Sequence, residues 1–365
     1  MPSYNDNYLF APKFSFTPEK ICLYNEVSVR LKNTNDFVHP SVLKNLNKID
    51  LQDQTEIKKL VRKFHNFRIS DNAYRNLKNK ISWLYYLSKC RYVKTYNGIE
   101  IYNFKMLFLT LTLPSKQVHT TAHITKDYLN QFITEIKQRT GMNNFVWRLE
   151  FQKNSNVHYH IVTDTYIDYF LAQKIWNRII NKGGYVDKYS EKFMNMSLSQ
   201  YFSYTVQNAV RYGKVIENNE YYSFTSVAKR YALLRKNGFK NPNSVDVKSV
   251  SNGKKISSYI SKYFGKNNED KNCYNPLDNE ENSKSIRLWF CSRSLSKLKS
   301  ISHYIDEINW SPDSIIEKAK HVKYVVHRYC TVIYFDFHQL KNEVKKVFAQ
   351  LFKRYSSNLG YLPAT

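Results

Sequence analysis

The 365-residue chain carries 56 Lys and Arg against 30 Asp and Glu, a formal net charge of +26, with 42% hydrophobic and 16% aromatic residues. This content excludes a disordered polyelectrolyte, and the length allows a full core and two or three domains. The excess of positive charge selects polyanionic partners, nucleic acid first, and the 30 tyrosines interleaved with it suit stacking on unpaired bases.

An AT-rich genome would inflate Lys, Asn, Tyr, Ile and Phe together, but it would not deplete the acidic residues. Cys22, Cys90, Cys273, Cys291 and Cys330 are scattered, with no Cys-x-x-Cys pair. This argues against a zinc module or a disulfide framework and fits a reducing, cytoplasmic setting. The opening stretch MPSYNDNYLFAPKF lacks a long apolar core, so no signal peptide is expected. No run of about 18 apolar residues calls for a membrane span. A G-x-x-x-x-G-K-[ST] motif is missing, SNGKKIS at Ser251–Ser257 being a faint echo, so an attached P-loop helicase is not expected.

Residues 1–100 read as a basic, largely helical N-terminal region. Lys58–Arg68 (KKLVRKFHNFR) is either a phosphate grip or a solvated helix face. Asp71–Leu87 is helical by the spacing of Ala73, Leu77, Ile81, Leu84 and Leu87, with Ser70 or Asp71 as cap. Met106–Leu113 (MLFLTLTL), ended by Pro114, reads as a buried central strand with Thr110 and Thr112 on one face. A second helix spans about Lys126–Arg139, capped by Thr125, striped by Leu129, Phe132, Ile133 and Ile136, and stopped at Gly141. His119 and His123 fall just before it and read as polar loop surface.

Phe145–Thr163 (FVWRLEFQKNSNVHYHIVT) alternates with period two on both sides of a polar turn at Gln152–Asn156, the pattern of a β-hairpin. If Phe151 pairs with Val157, Glu150 falls opposite His158 and Arg148 opposite His160. One face is then aromatic and aliphatic, and the other gathers Glu150, His158 and His160. Two imidazoles and a carboxylate on one face can hold a divalent cation with open positions.

Asp168–Asn181 is a third helix stopped at Gly183-Gly184, and Gly184–Tyr189 (GYVDKY) reads as a strand. Residues 190–240 form a Tyr-rich, partly helical insertion placed to contact DNA. Ser244–Val250 alternates as a strand and runs into Lys254–Lys266 (KKISSYISKYFGK). Tyr259, Lys262, Tyr263 and Lys266 share one helix face there, two phenols beside two ammonium groups. A phenol with pKa near ~10 is a poor nucleophile unless cations surround its target. Taken alone, this segment is an amphipathic helix with solvated lysines. Ser283–Phe290 and Tyr324–Phe335 read as strands and Asp336–Tyr355 as a terminal helix, within an accessory region 271–365.

FLTLTLP at Phe108–Pro114, HYH at His158–His160 and YISKY at Tyr259–Tyr263 come in the order of the three motifs of the HUH-superfamily rolling-circle replication initiators, the Rep endonucleases, which the chain resembles. The two-tyrosine YISKYFGK form is similar to microvirus-type phage replication proteins. WRLEFQKNSNVHYH is similar to segments from small circular single-stranded DNA phages of Bacteroidota-like hosts. The resemblance covers about residues 100–295, including IRLWFCSRSL at Ile286–Leu295. It departs in one place: Tyr159 stands between the histidines where the superfamily has a bulky apolar residue. The third metal ligand also varies among family members.

The resemblance implies an α+β fold. Its HUH nuclease core would fill residues 101–270, with an antiparallel sheet of about five strands, ferredoxin- or RRM-like, flanked by helices. It implies a divalent ion, Mg²⁺ or Mn²⁺, on His158, His160 and Glu150. It also implies Tyr259 as first nucleophile, Tyr263 as second, and Lys262 beside the phosphotyrosine. The product would be a 5′-phosphotyrosine and a free 3′-OH. Lys266 and Arg148 are expected to contact DNA. The implied partners are a single-stranded replication origin and host DNA polymerase and helicase. A plasmid relaxase or single-strand transposase of the same superfamily, or a non-enzymatic DNA-binding or packaging protein, are the alternatives.

Overall fold

The computed structural model describes residues 3–5, 8–17, 20–30, 37–38, 69, 71–88, 90–250 apart from 96, 212, 215 and 218, and then 277–278, 286–298, 301–304, 322–326, 330–335, 342 and 345–346. The chain opens with strands β1 (Ser3–Asn5), β2 (Tyr8–Thr17), β3 (Lys20–Arg30) and β4 (Phe37–Val38), then helix α1 (Asp71–Leu87). β5 (Arg91–Lys94) and β6 (Glu100–Phe104) form a small hairpin before β7 (Met106–Thr112). Helix α2 follows in three continuous pieces, Thr121–His123, a π-helical Ile124–Leu129, and Asn130–Thr140. Next come β8 (Phe145–Phe151), β9 (Val157–Thr163), α3 (Tyr169–Ile180), α4 (Tyr185–Met194), α5 (Leu198–Arg211), α6 (Phe224–Lys236) and β10 (Val245–Val250). Among the described residues, β11 (Trp289–Cys291), a short helical turn at Arg293–Ser296, β12 (Ile301–Tyr304), β13 (Lys323–Val326) and β14 (Cys330–Tyr334) follow.

The fold is α+β. Its centre is a five-stranded antiparallel sheet in the order β10-β7-β9-β8-β11, flanked by helices, as expected for a HUH-type core. Leu107, Leu109, Leu111, Trp147, Leu149, Tyr159 and Ile161 turn one face of this sheet toward α2 and α3. There they pack with Phe132, Ile136, Ile175, Trp176 and Ile179. Each such side chain contributes ~1.5–3 kcal/mol by leaving water. The Trp176 indole also donates to the Thr112 carbonyl at 2.8 Å, which fixes α3 against the end of β7. The other face is covered too. Met106, Phe108, Val146 and Val162 pack against Leu77, Ile81, Trp83 and Leu84 of α1 and against Phe14 and Ile21 of the N-terminal strands. A strand buried on both sides reads as a near-continuous apolar run, which is what MLFLTLT is.

Several elements differ from the sequence reading. Among the described residues of the N-terminal region the first elements are strands, not helices: β1–β4 join β12–β14 in a seven-stranded sheet, through β3–β14 and β2–β12 pairs, while residues 39–68 lie outside the described residues. Described strands from the N-terminal and C-terminal regions therefore share one sheet. Helix α2 begins at Thr121, not Lys126, because Thr120 accepts from the His123 amide and Asp278 Oδ1 accepts from the Thr121 amide at 2.8 Å. Thr125 is not a cap; its hydroxyl donates back to the Thr121 carbonyl. His123 therefore lies inside the helix. GYVDKY is helical, not extended: Asn181 Oδ1 accepts from the Val186 and Asp187 amides at 3.0 and 2.9 Å and starts α4. Of Ser283–Phe290, only Trp289 and Phe290 lie in a described strand. Tyr324–Phe335 is two strands, β13 and β14, paired with each other. The expected helices over Lys254–Lys266 and Asp336–Tyr355 fall outside the described residues, apart from isolated positions in the latter.

Candidate functional site

The β8–β9 hairpin has the expected register: Phe151 pairs with Val157, Glu150 with His158, and Arg148 with His160. Its turn closes with the Gln152 amide donating to the Asn156 carbonyl at 2.9 Å. The loop after β7 clamps that turn from outside. Asn156 Oδ1 accepts from the Gln117 amide, its Nδ2 donates to the Ser115 carbonyl, and Gln117 Oε1 accepts from the Val157 amide. A slip of one residue would send the histidines to the helix side, so this clamp holds the site as well as the turn. On the far side of β9, Thr110 pairs with His160 and Thr112 with His158.

His160 is 1% exposed and sits between two polar neighbours. Its Nδ1 lies 3.2 Å from Thr110 Oγ1 and its Nε2 3.3 Å from Glu150 Oε2. The Arg148 guanidinium is 3.6 Å from Glu150 Oε1. That carboxylate oxygen is buried and makes no hydrogen bond among the described residues. The His158 ring lies edge-on to His160, centroids 4.5 Å apart, with its Nδ1 3.2 Å from Gln152 Nε2. Burial, and then the neighbouring His160, hold the His158 pKa down to about 3, so the imidazole is neutral at physiological pH. Burial likewise lowers the pKa of Arg148, opposed by the charge of Glu150.

These donors fit a divalent cation in kind. Neutral His158 has one ring nitrogen that carries no proton, and each ring has a nitrogen beside a polar side chain that can steady it, Gln152 or Thr110. Neighbouring ligands at ~2.1 Å from an octahedral ion sit roughly 3 Å apart, close to the 3.3 Å between His160 Nε2 and Glu150 Oε2. The three heads share a face but are not gathered around one point. Among the described residues, no group of three His, Cys, Asp or Glu side chains is arranged to hold a metal ion.

Tyr159, the departure between the histidines, points the other way and is fully buried in the helix-side core. A buried phenol needs a partner, and Thr125 Oγ1 supplies one at 2.7 Å. Arg148, expected to contact DNA, is not a surface residue: at 3% exposure it lies beside Glu150. Thr112 turns to the Ser244 carbonyl, leaving Thr110 as the threonine that reaches a histidine. Gln152 was missed by the sequence reading; its signal was its place just past Glu150, at the turn end of the same strand. Tyr259, Lys262, Tyr263 and Lys266 lie outside the described residues.

Fold and donor set together define a class: an α+β domain whose central antiparallel sheet carries a His-x-His strand beside a carboxylate. Within it, the family model for replication-associated protein ORF2/G2P matches residues 106–268, from the first residue of β7 through the YISKY stretch. The match supports a replication-associated role. No curated protein and no solved structure matches the chain. Among the described residues, no helix is long and apolar enough to cross a membrane.

Proposed function

We propose that the chain is a replication initiator that nicks single-stranded DNA by tyrosine attack, in the manner of the two-tyrosine HUH endonucleases. The observation that carries this reading is the register placing Glu150, His158 and His160 on one sheet face, with His160 and Glu150 in contact at 3.3 Å. His158, His160 and Glu150 would hold Mg²⁺ or Mn²⁺, which supplies positive charge against the developing charge of the scissile phosphate. Thr110 and Gln152 orient the imidazoles. Tyr259 gives up its phenolic proton and attacks phosphorus; the bond to the 3′-oxygen breaks, and that oxygen leaves as a 3′-OH after taking a proton. The 5′-phosphate stays on the tyrosine, so the reverse reaction rejoins strands without ATP. Tyr263, one helical turn away by spacing, takes the second transfer, and Lys262 balances the charge of the phosphotyrosine. The free 3′-OH is the primer for a host DNA polymerase, working with a host helicase. Lys266 and the wider +26 charge grip the DNA backbone.

The test is nicking of single-stranded DNA, with and without EDTA, read on a denaturing gel for a covalent protein–DNA band. Wild type forms the band only with metal. Tyr259→Phe loses the first cut, and Tyr263→Phe keeps it but fails to complete strand transfer. A band that persists in the double variant would remove both tyrosines from the chemistry. Binding that stays flat as salt rises would show that the charge excess is idle.

A further inference from the structure

The helix side of the sheet has an opening at the β8–β11 edge. A cavity of about 280 Å³ lies there between α2 and β11, lined by Thr125, Lys126, Asn130, Trp147, Arg287 and Phe290. Trp147 is 3% exposed, while Phe290 is 37% exposed at the edge. Their ring centroids are 6.3 Å apart at 38°. The Arg287 guanidinium stands 5.2 Å above the Phe290 ring. Lys126, Asn130 and Arg287 are exposed around the opening. The α2 wall is the π-helical Ile124–Leu129 segment, a rare geometry found mostly at functional sites.

We propose that this cavity binds one unpaired nucleobase of a DNA strand, with its ring against Phe290 and Trp147 and its flanking phosphates against Lys126 and Arg287. The proposal rests on the functional reading above and deepens it by assigning a second contact for the strand. Aromatic faces beside cations are how single strands are held without sequence preference. The volume sits near the ~300 Å³ lower end of small-molecule sites, so it suits one nucleotide rather than a run of them. The Asn130 amide can both donate to and accept from a base edge. A mere packing gap would be closed and apolar; this one has two cations and an amide at its mouth. The pleat also links it to the metal-ligand face. Trp289 pairs with Arg148 and Phe290 with Trp147, so two consecutive aromatics at the sheet edge point to opposite sides. A strand that rounds β11 meets an aromatic ring on each.

The experiment is fluorescence anisotropy of a labelled oligothymidylate at fixed salt, beside the nicking assay. Phe290→Ala, Arg287→Glu and Lys126→Glu are each expected to weaken binding by at least about fivefold, the low end for one lost stack. Phe290→Tyr restores binding, since it keeps the ring. Lys137→Glu, an exposed reversal on α2 away from the cavity, changes it less than either cavity reversal. If Phe290→Ala fails to fold by circular dichroism, the two surface reversals measured against Lys137→Glu decide. Wild-type affinity in all cavity variants, with nicking intact, overturns the cavity assignment and leaves the function standing. A wild type that neither binds nor nicks overturns both. Thymidine monophosphate competing as well as the oligonucleotide overturns the strand in favour of a free nucleotide.

Discussion

The two faces of the central sheet are both buried, and they solve burial in opposite ways. β9 feeds both. Val157, Tyr159 and Ile161 enter an apolar core in which the Tyr159 phenol is satisfied by Thr125. His158 and His160 enter a polar layer with Thr110, Arg148 and Glu150. The first face gains free energy from leaving water. The second gains likewise where Met106, Phe108, Val146 and Val162 pack, but gives some up at its polar groups: burial holds the His158 pKa down to about 3, and one Glu150 oxygen has no hydrogen bond among the described residues. Burial therefore does not separate core from site in this molecule. The separation lies in whether the buried groups are content to be there, and the discontented face is the candidate for chemistry.

That contrast is broken most directly by paired substitutions on the hairpin. His158→Ala or His160→Ala is expected to reduce DNA nicking by ~100-fold or more, the loss of several kcal/mol of charge stabilisation. DNA binding and melting temperature should change little. Leu149→Ala, on the opposite face of β8, is expected to cost about 2–5 kcal/mol of stability while sparing nicking per folded molecule. Urea midpoints and gel assays on the same preparations check both. If the histidine variants lose as much stability as Leu149→Ala, the polar face is structural and the contrast collapses.

A smaller effect sharpens the same point. Mn²⁺ should raise the melting temperature of wild type, since a ligand at a hundred times its Kd adds about 2.7 kcal/mol. His160→Ala should show no such rise. A rise shared by both proteins would place the ion elsewhere.

The hairpin and its register were legible because period two, a short polar turn and the His-x-His spacing all lie within nineteen consecutive residues, Phe145–Thr163. Helix α1 was legible for the same local reason, down to both of its ends. The seven-stranded sheet was not. β3 finds its partner β14 some three hundred residues away, with Cys22 opposite Val332, and a short run such as Ile21, Cys22, Leu23, Tyr24, with no alternation and only Ile21 buried, carries little signal. The burial of Arg148 was equally hidden, because the layer covering it comes from distant segments. Helix α4 was missed because its start is set by a side chain upstream, Asn181, and not by a residue next to it. Its helical stripe of Tyr185, Tyr189 and Phe193 was there to be read. Asn181→Ala is accordingly expected to cost about 1 kcal/mol, measured by denaturant midpoint. No loss would mean that Gly184 alone starts the helix.

The smallest predicted effect concerns the second histidine pair, on the helix side. His119 and His123 stack at 4.8 Å, and His119 Nδ1 lies 3.0 Å from the buried Tyr185 hydroxyl. Burial, then the charges of His123 and Lys188, hold the His119 pKa below the ordinary imidazole value. The sign follows from proton counting. Below about pH 6.5 the unfolded chain takes up a proton at this position and the native state resists it. Stability from His119 is therefore whole at higher pH and is lost as pH falls from about 6.5 toward the lowered native value. His119→Gln keeps a polar group beside Tyr185 but cannot titrate. Between about pH 7.5 and about pH 5.5, wild type should lose more stability than the variant, while both nick DNA equally. Titrations of groups outside this histidine pair are common to the two proteins and cancel. Equal losses would show that His119 does not sense pH. A nicking defect in His119→Gln would move this pair from the packing of the helix side into the chemistry, and would blur the division between the two faces.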